Sequence, residues 1–358
     1  MKKIVTVVGA RPQFIKAATL SRQFKLLEID EKIIHTGQHF EANMSDIFFT
    51  ELDIPKPSYQ LDIHNLSHGA MTGRMLEGIE RILLAEKPDG VLVYGDTNST
   101  LAGALAASKL HIPVIHVEAG LRSFNMEMSE EINRILTDRM SRILFCPTES
   151  AVRNLKNEGF DHLPVTVFNS GDVMKDAALY YTDKAQLKSD ILRKIGVKKF
   201  VLATIHRQEN TNSRENLRNI VAGLNEIHKL IPVVVPLHPR TRRILAQQYI
   251  LPDFITIDPV GYFDMISLLK NCELVITDSG GLQKEAFFLK KHCITLRNET
   301  EWVELIENGL NTLVGSDKLQ LKKAFELFLT KTSNFDIDLY GNGHAARFMA
   351  ETIKQTNI

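Results

Sequence analysis

The chain has 358 residues, too many for one ordinary domain and about right for two. Its 43 basic residues equal its 43 acidic residues, so the basic excess expected of a nucleic-acid-binding protein is missing. Its three cysteines, Cys146, Cys272 and Cys293, include no C-x-x-C pair, which argues against a disulfide scaffold or a cysteine zinc site. We expect buried thiols and no bound metal.

No apolar run approaches the roughly 20 residues of a membrane span, so no membrane partner is expected. The apolar stretch after Lys3 ends at Gly9, which is too short for a signal peptide. The sequence therefore predicts a cytoplasmic protein.

Short apolar runs alternate with helical patterns along almost the whole chain. Continuous apolarity predicts strands that are buried on both faces, as in parallel sheets, and the helices between them complete β-α-β units. Two successive sets predict an α/β fold with two doubly wound, Rossmann-like sheets and a cleft between them. The predicted strands are 4–8, 31–35, 90–94, 114–117, 143–146 and 165–168, then 200–204, 233–236, 254–257, 274–277, 293–296 and 312–314.

The predicted domain boundary lies in the segment 171–188, where a strand ends and a polar stretch precedes the second set. This places an N-terminal domain at 1–172 and a C-terminal domain at 173–342. A last helix, within 343–358, follows a glycine-rich turn and could pack back on the first domain.

Ligands of open parallel sheets bind beyond the carboxyl ends of the strands, so the residues that follow each strand are the functional candidates. After the first strand, Arg11 and Lys16 fall at the start of a helix that begins near Pro12. Two cations oppose the helix dipole there, which favours an anionic ligand over a solvated surface pair. The P-loop and G-x-G-x-x-G patterns are both absent. The lack of G-x-G-x-x-G argues against binding of a dinucleotide cofactor.

Three carboxylates follow later strands of the first half: Asp96, Glu118 and Glu131. Asp96 could instead cap the next helix, and Glu131, like Glu130, suits a first helical turn by dipole alone. Together the three could supply a general acid and a general base at one edge of a cleft.

The second half carries groups suited to phosphate. His206 and Arg207 follow its first strand, and His238 follows the next with a weaker signal, because a lone histidine is usually structural. The small residues of 278–281 bring backbone N–H groups to a helix N-terminus, which suits a diphosphate, and Glu285 could accept hydrogen bonds from ribose. These patterns predict a binding site for a nucleotide-diphosphate sugar. They do not decide among glycosyl transfer, epimerisation and hydrolysis.

Six motifs in order between Gly9 and Gly281 resemble the non-hydrolysing UDP-N-acetylglucosamine 2-epimerase family. They are residues 9–16 (GARPQFIK), 94–97 (YGDT), 116–122 (HVEAGLR), 130–134 (EEINR), 204–207 (TIHR) and 278–281 (DSGG). The resemblance implies the two-domain GT-B fold, a UDP-sugar substrate, no added cofactor and a homodimer.

The resemblance also implies roles for individual residues. Catalytic positions are matched by Asp96, Glu118, Glu131 and His206, and substrate or UDP positions by Arg11, Lys16, Arg134, Ser279, Gly280, Gly281 and Glu285. We also predict that Arg207 and His238 bind substrate or UDP, because each follows a strand of the second half. Gln38 and His39 match residues that bind a second, activating sugar nucleotide in some bacterial members.

Two segments, 122–126 (RSFNM) and 297–304 (RNETEWVE), differ from the common N-acetylglucosamine enzymes. They resemble the subgroup that acts on UDP-2,3-diacetamido-2,3-dideoxy-D-glucuronate, an O-antigen precursor, although Ser129 replaces that subgroup's usual proline. The predicted reaction is inversion at C2 to the manno form. The alternatives are conversion of UDP-N-acetylglucosamine to UDP-N-acetylmannosamine, and, from other classes, a GT-B glycosyltransferase, a hydrolysing epimerase or a non-catalytic sensor.

The chemistry of C2 limits the mechanism, because no ring carbonyl makes its hydrogen acidic. Transient oxidation would need a nicotinamide, whose fingerprint is missing. The route known for the family is elimination of UDP to a glycal followed by re-addition. It requires a base on one face of the sugar, an acid on the other, and a diphosphate held between the steps.

Overall fold

The structure is a computed structural model that describes residues 1–38 and 54–357. The chain divides into two compact units, one formed by Met1–Ala177 with Asp338–Ile358 and the other by Ala178–Ile337. The predicted boundaries, after residue 172 and before residue 343, lie close to these divisions. That they separate independent domains stays a prediction.

The first unit is built on a parallel sheet of seven strands in the order β3-β2-β1-β4-β5-β6-β7. Its elements are β1 Lys3–Val8, α1 Arg11–Leu26, β2 Asp30–His35, β3 Tyr59–Gln60, α2 His68–Glu86, β4 Gly90–Tyr94, α3 Asn98–Lys109, β5 Val114–Val117, α4 Ser129–Met140, β6 Ile143–Cys146, α5 Glu149–Asn157, a 3₁₀ turn at Phe160–His162, and β7 Thr166–Asn169. The next helix, α6 Val173–Lys188, contains the division between the units.

The second unit is built on a parallel sheet of six strands in the order β10-β9-β8-β11-β12-β13. Its elements are α7 Ile191–Ile195, β8 Val201–Thr204, α8 Gln208–Thr211, α9 Arg214–His228, β9 Val233–Pro236, α10 Pro239–Gln247, β10 Ile255–Ile257, α11 Tyr262–Asn271, β11 Val275–Thr277, α12 Gly280–Phe288, β12 Cys293–Thr295, α13 Val303–Glu307, β13 Asn311–Leu313 and α14 Lys318–Thr330. The last helix, α15 Ala345–Gln355, belongs to the first unit and contacts α1.

Every predicted strand overlaps an observed one, and the α/β prediction is confirmed. The sequence missed β3, which has two residues, pairs with β2 and is partly exposed. Such a short edge strand needs no apolar run, so its composition carries no signal. The three cysteines are buried, as expected.

The strand orders decide where the functional turns lie. In each sheet the order reverses beside its first strand, between β1 and β4 in one unit and between β8 and β11 in the other. Loops that leave two such strands run to opposite faces of the sheet and open a crevice at their carboxyl ends. The turns with Arg11 and Asp96 therefore meet in the first unit, and those with His206 and Asp278 meet in the second.

Among the described helices, none combines the length and the apolar character that crossing a bilayer would require. In the same residues no group of three or more histidine, cysteine, aspartate or glutamate side chains has a metal-binding arrangement.

Candidate active site

The turn after β4 brings two acidic residues together. Gly95 has φ of +62°, and a Cβ on it would lie 3.0 Å from Oε2 of Glu118. Glycine suits this position, because the conformation is left-handed and a Cβ would contact the carboxylate tightly. Asp96 comes next, and helix α3 is capped by Thr97, whose Oγ1 accepts from the Thr100 N–H at 3.3 Å. The alternative that Asp96 caps this helix is wrong.

Arg134 joins two of the predicted carboxylates. Its Nη2 lies 2.6 Å from Oδ2 of Asp96 and its Nη1 lies 3.0 Å from Oε2 of Glu131. Arg134 is buried, and its neighbour Asn133 donates to the backbone carbonyl of Asp96 at 2.9 Å. Helix α4 thus fixes Asp96 by both its side chain and its backbone.

Glu131 itself is occupied by the protein. It is 0% exposed, and it accepts the N–H of Ser123 at 2.9 Å, the hydroxyl of Ser123 at 3.0 Å and the N–H of Phe124 at 2.9 Å. With Arg134, these donors engage both carboxylate oxygens. The side chain predicted as catalytic therefore holds the segment before α4, and its catalytic role stays a prediction.

Glu118 forms a buried ion pair with Lys16, the residue predicted to contact ligand from α1. Glu118 has φ of +72°, which is uncommon for a residue with a side chain and requires surroundings that hold it in place. The pair ties the turn after β5 to helix α1. Strain of this kind is concentrated at functional sites.

The pKa of Asp96 is raised from its ordinary value. Burial is the main cause, and the negative charges of Glu118 and Glu130 add to it, while Arg134 and Lys16 act in the opposite direction. A carboxyl group whose pKa moves toward neutrality is better able to deliver and recover a proton.

A pocket of about 230 Å³ opens over these turns in the first unit. Its lining includes the predicted residues Lys16, Gln38 and Asp96 and, next to Glu131, the exposed Glu130. The other lining residues are Ala10, Pro12, Gln13, His68, Tyr94, Gly95, Thr97, Asn98, Ser129 and Asn133. His39, the other half of the predicted second site, lies outside the described residues.

Gln13 organises the pocket and had no role assigned from sequence. Its Oε1 accepts the N–H groups of Gly9 at 2.8 Å and Ala10 at 3.0 Å, while its Nε2 donates to the carbonyl of Tyr94 at 2.8 Å. It links the turn after β1, where partly buried Arg11 begins α1, to the end of β4. Gln38 similarly accepts the N–H of Ser99 at 3.1 Å.

In the second unit, His206 is oriented by Asp278. Nδ1 of His206 lies 2.9 Å from Oδ1 of Asp278, while the backbone N–H groups of His206 and Arg207 each donate to Oδ2 at 3.0 Å. Burial alone would raise the pKa of Asp278, but these donors, led by His206, hold it below its ordinary value. The His206 side chain is 51% exposed, so a ligand can reach part of the ring.

The segment Asp278–Gly281 begins helix α12 as predicted. Ser279 caps it and accepts the N–H of Leu282 at 3.4 Å, and beyond its chain neighbours and the backbone of its own helix, a Cβ on Gly281 would meet no heavy atom of the described residues within 4 Å. The carbonyl of Gly280 accepts from Nε1 of Trp302 at 3.0 Å. The start of the helix is thus open, with N–H groups that suit an anion.

The remaining predicted residues of this unit, Glu285, Arg207 and His238, have different surroundings. Glu285 is buried one turn into α12. Nη1 of Arg207 lies 3.7 Å from Glu209, and His238 caps α10 by accepting the N–H of Arg240 at 3.2 Å. The capping role gives His238 a structural reason for its position.

Segment 297–304, singled out by its composition, lies beside the start of α12. Arg297 and Glu301 form a buried bidentate ion pair, with distances of 3.0 and 3.2 Å. If Gly280 carried a Cβ, that atom would lie 3.8–3.9 Å from atoms of both side chains and of Trp302. The aromatic ring of Trp302 in turn covers Lys284, whose Nζ is 4.0 Å from the ring centroid.

Two Rossmann-like units, one with clustered carboxylates and one with an open helix N-terminus beside an oriented histidine, fit an enzyme of the sugar-nucleotide class. The chain belongs to the UDP-N-acetylglucosamine 2-epimerase family, whose family model matches residues 23–354.

Relatives support this over the full length. The chain is 56% identical over 351 residues to the UDP-2,3-diacetamido-2,3-dideoxy-D-glucuronate 2-epimerase of Pseudomonas aeruginosa, covering 98% of each chain. It is 51% identical to a UDP-N-acetylglucosamine 2-epimerase homolog of Methanococcus maripaludis, covering 98% of this chain and 99% of that one. The crystal structure of Methanocaldococcus jannaschii UDP-GlcNAc 2-epimerase in complex with UDP-GlcNAc and UDP superimposes with a TM-score of 0.92 at 44% identity, covering 99% of this chain and 100% of that one.

The chain is therefore an isomerase, a UDP-sugar 2-epimerase of GT-B fold, and the family, fold and enzyme class predicted from the sequence are confirmed.

Proposed function

We propose that this epimerase acts on UDP-2,3-diacetamido-2,3-dideoxy-D-glucuronate and inverts C2 to give the manno form, a precursor of O-antigen or capsule. The observation that carries this choice is the 56% identity to the Pseudomonas aeruginosa enzyme over 98% of both chains. UDP-N-acetylglucosamine is the second candidate, because the Methanocaldococcus jannaschii structure at 44% identity holds that sugar nucleotide.

The proposed reaction begins with removal of the proton at C2. The C–H electron pair forms the C1–C2 double bond. The bond from C1 to the diphosphate oxygen breaks, and UDP leaves with the electron pair of that C–O bond. UDP then adds back to C1 of the glycal while C2 receives a proton on its opposite face. Atoms and charge balance without an oxidant, so the scheme needs no added cofactor.

In this scheme Asp96 and Glu118 share the acid–base work. Asp96 lines the pocket with a raised pKa, and the charge of Glu118 is compensated by Lys16. Glu131 acts through Arg134, whose guanidinium contacts both Glu131 and Asp96. General acid–base groups typically contribute about 10²–10⁴-fold each.

The leaving diphosphate is assigned to the second unit. Asp278 holds His206 through Nδ1, which leaves Nε2 to donate to a phosphate oxygen. The N–H groups at the start of α12 offer further donors, and the helix dipole favours the negative charge. Together they would hold UDP until it adds back.

Incubating the pure protein with one UDP-sugar at a time in D₂O, followed by NMR of the anomeric region, tests the proposal. We expect the diacetamido-uronate to give a manno product that carries deuterium at C2. Unlabelled product would exclude the elimination route, and turnover of UDP-N-acetylglucosamine alone would change the substrate but not the family. A glycosyltransferase would need an acceptor, and a hydrolysing enzyme would release UDP and free sugar.

We also propose a cytoplasmic homodimer, in line with the family resemblance. Light scattering should give twice the chain mass of 40.5 kDa. Activation by a second sugar nucleotide near Gln38 would show as a sigmoidal dependence of rate on substrate concentration.

A further inference from the structure

His116 lies beneath the Gly95–Asp96 turn with both ring nitrogens bonded. It is in β5 and is 0% exposed. Its Nδ1 lies 2.7 Å from Oδ1 of Asp138, and its Nε2 lies 2.7 Å from the carbonyl oxygen of Gly95. His116 belongs to a motif of the sequence, but no role was assigned to it.

The partners of His116 determine where its protons are. A carbonyl oxygen only accepts, so Nε2 must carry a proton. The other oxygen of Asp138 accepts from Nη1 of Arg122 at 2.8 Å and from the N–H of Gly120 at 3.2 Å. The guanidinium of Arg122, in contact with this oxygen, favours the ionised form of Asp138. An ionised carboxylate also only accepts, so Nδ1 must carry a second proton.

We propose that His116 is a buried imidazolium that positions Asp96, donating one proton to Asp138 and the other to the carbonyl of Gly95. The link to catalysis rests on the proposed function of Asp96. The charge state of His116 rests on the hydrogen-bond geometry alone.

The surrounding charges explain how the protein accommodates a buried cation. Arg122 contacts both Asp138 and, through Nε at 2.6 Å, Glu158. Two cations and two carboxylates therefore form a compensated group, as a buried charge requires. The neighbouring thiol of Cys146 is neutral, because burial, assisted by Asp138, raises its pKa.

Arg134 and Asn133 hold Asp96 itself, while the bond from His116 acts on the residue before it. Gly95 has no side chain to pack, and its left-handed backbone would bring a Cβ to 3.0 Å from Oε2 of Glu118. A hydrogen bond from a buried ring to its carbonyl sets the orientation of the peptide that leads into Asp96. Moving a reacting group by an ångström can cost about 10²-fold in rate.

Two substitutions separate the hydrogen bond from the charge. In His116→Gln, both N–H groups belong to one nitrogen, so the amide cannot reproduce the bonds that the two ring nitrogens make to Asp138 and Gly95. In Asp138→Asn, the amide can donate to Nδ1 while its oxygen accepts from Arg122, so a neutral His116 keeps its bond to Gly95. His111→Asn is the matched control, because His111 is exposed and its φ of +59° suits asparagine.

The first measurement is ¹⁵N NMR of the histidine side chains of the full-length protein at about pH 8, where an ordinary histidine with a pKa of about 6.5 is neutral. We expect one ring with both nitrogens protonated. Its signals should vanish in His116→Gln and become those of a neutral ring in Asp138→Asn, with no change in His111→Asn. A wild-type spectrum without a doubly protonated ring would overturn the charge assignment, whether or not the protein epimerises any sugar.

The second measurement is the pH profile of turnover. In His116→Gln we expect kcat to fall by about 10²-fold with little change in KM. The limb governed by Asp96 should move, because the burial that raises its pKa depends on how the turn holds the side chain among Arg134, Lys16, Glu118 and Glu130. Asp138→Asn should retain more activity than His116→Gln. Unchanged kcat and profile in His116→Gln would refute the positioning role, and a melting curve confirms that each variant folds.

Discussion

Asp96 and Asp278 each follow a buried strand at the switch point of a parallel sheet, yet their environments have opposite effects. Burial and neighbouring carboxylates raise the pKa of Asp96, whereas His206 and backbone donors lower that of Asp278 despite its burial. The same residue type at the same place in two related sheets thus has a raised pKa in one unit and a lowered pKa in the other.

The difference lies in the partners that each turn supplies. Among the residues that the structure describes, the cation in contact with Asp96 is Arg134, which is shared with Glu131. Asp278 accepts from two backbone N–H groups, the His206 ring and Nδ2 of Asn210. Several donors to a carboxylate favour its charged form, while a shared cation beside further carboxylates does not offset burial.

Asp96→Asn is the change expected to have the largest effect on activity. An amide cannot exchange a proton with C2, so kcat should fall by about 10²–10⁴-fold, measured as deuterium incorporation at C2. Asp161→Asn is the control, because Asp161 is exposed in the 3₁₀ turn of the same unit. Activity within a factor of a few of wild type would remove Asp96 from the acid–base pair.

Asp278→Asn should have the next largest effect, and it acts through His206. Loss of the charged acceptor removes about 1.5–3 kcal/mol of orienting interaction, equivalent to about 10–10²-fold in kcat/KM. Asp258→Asn, at an exposed aspartate of the same unit, is the control. If Asp278→Asn matches it, Asp278 does not orient His206 for the reaction.

Glu131→Gln and Glu130→Gln compare neighbours that face different ways. Gln at 131 loses a charged acceptor among buried donors, so the free energy of unfolding should fall by about 1–3 kcal/mol. Gln at 130, on the exposed pocket wall, should change it by less than about 0.5 kcal/mol. Urea unfolding measures both, and equal midpoints would contradict the assignment of Glu131 as the holder of the Ser123–Phe124 segment.

The smallest expected effect is on the pH dependence of stability. The folded-state pKa of Asp278 is below its ordinary value, so the stability it contributes is present above that value and is lost as pH falls through the folded pKa. Asp96 has a raised pKa, so stability declines as pH rises from the ordinary value to the raised one.

Melting temperatures against pH distinguish the two aspartates. Asp278→Asn should flatten the loss of stability in acid, whereas Asp96→Asn should remove a decline on the less acidic side. Identical curves for the two variants would mean that the environments do not differ as described.

Local patterns predicted much of the fold and of the site. Continuous apolar runs identified the strands because burial on both faces leaves no room for alternation, and Pro12 and Glu130 fall in first helical turns as expected. The partners of the site residues were beyond the reach of such patterns. A glutamate in a first helical turn has the same local sequence whether it faces water, a ligand or, like Glu131, the backbone of Ser123 and Phe124.

By itself, the sequence determined the two parallel sheets, the family and the candidates at the strand ends, because these depend on residue type and short spacing along the chain. The tertiary structure decided the state of each candidate. His116 meets Asp138 across 22 residues of chain, and Lys16 meets Glu118 across 102. Charge, burial and hydrogen-bond satisfaction depend on such distant contacts, and they separate a residue that can exchange a proton from one that holds another in place.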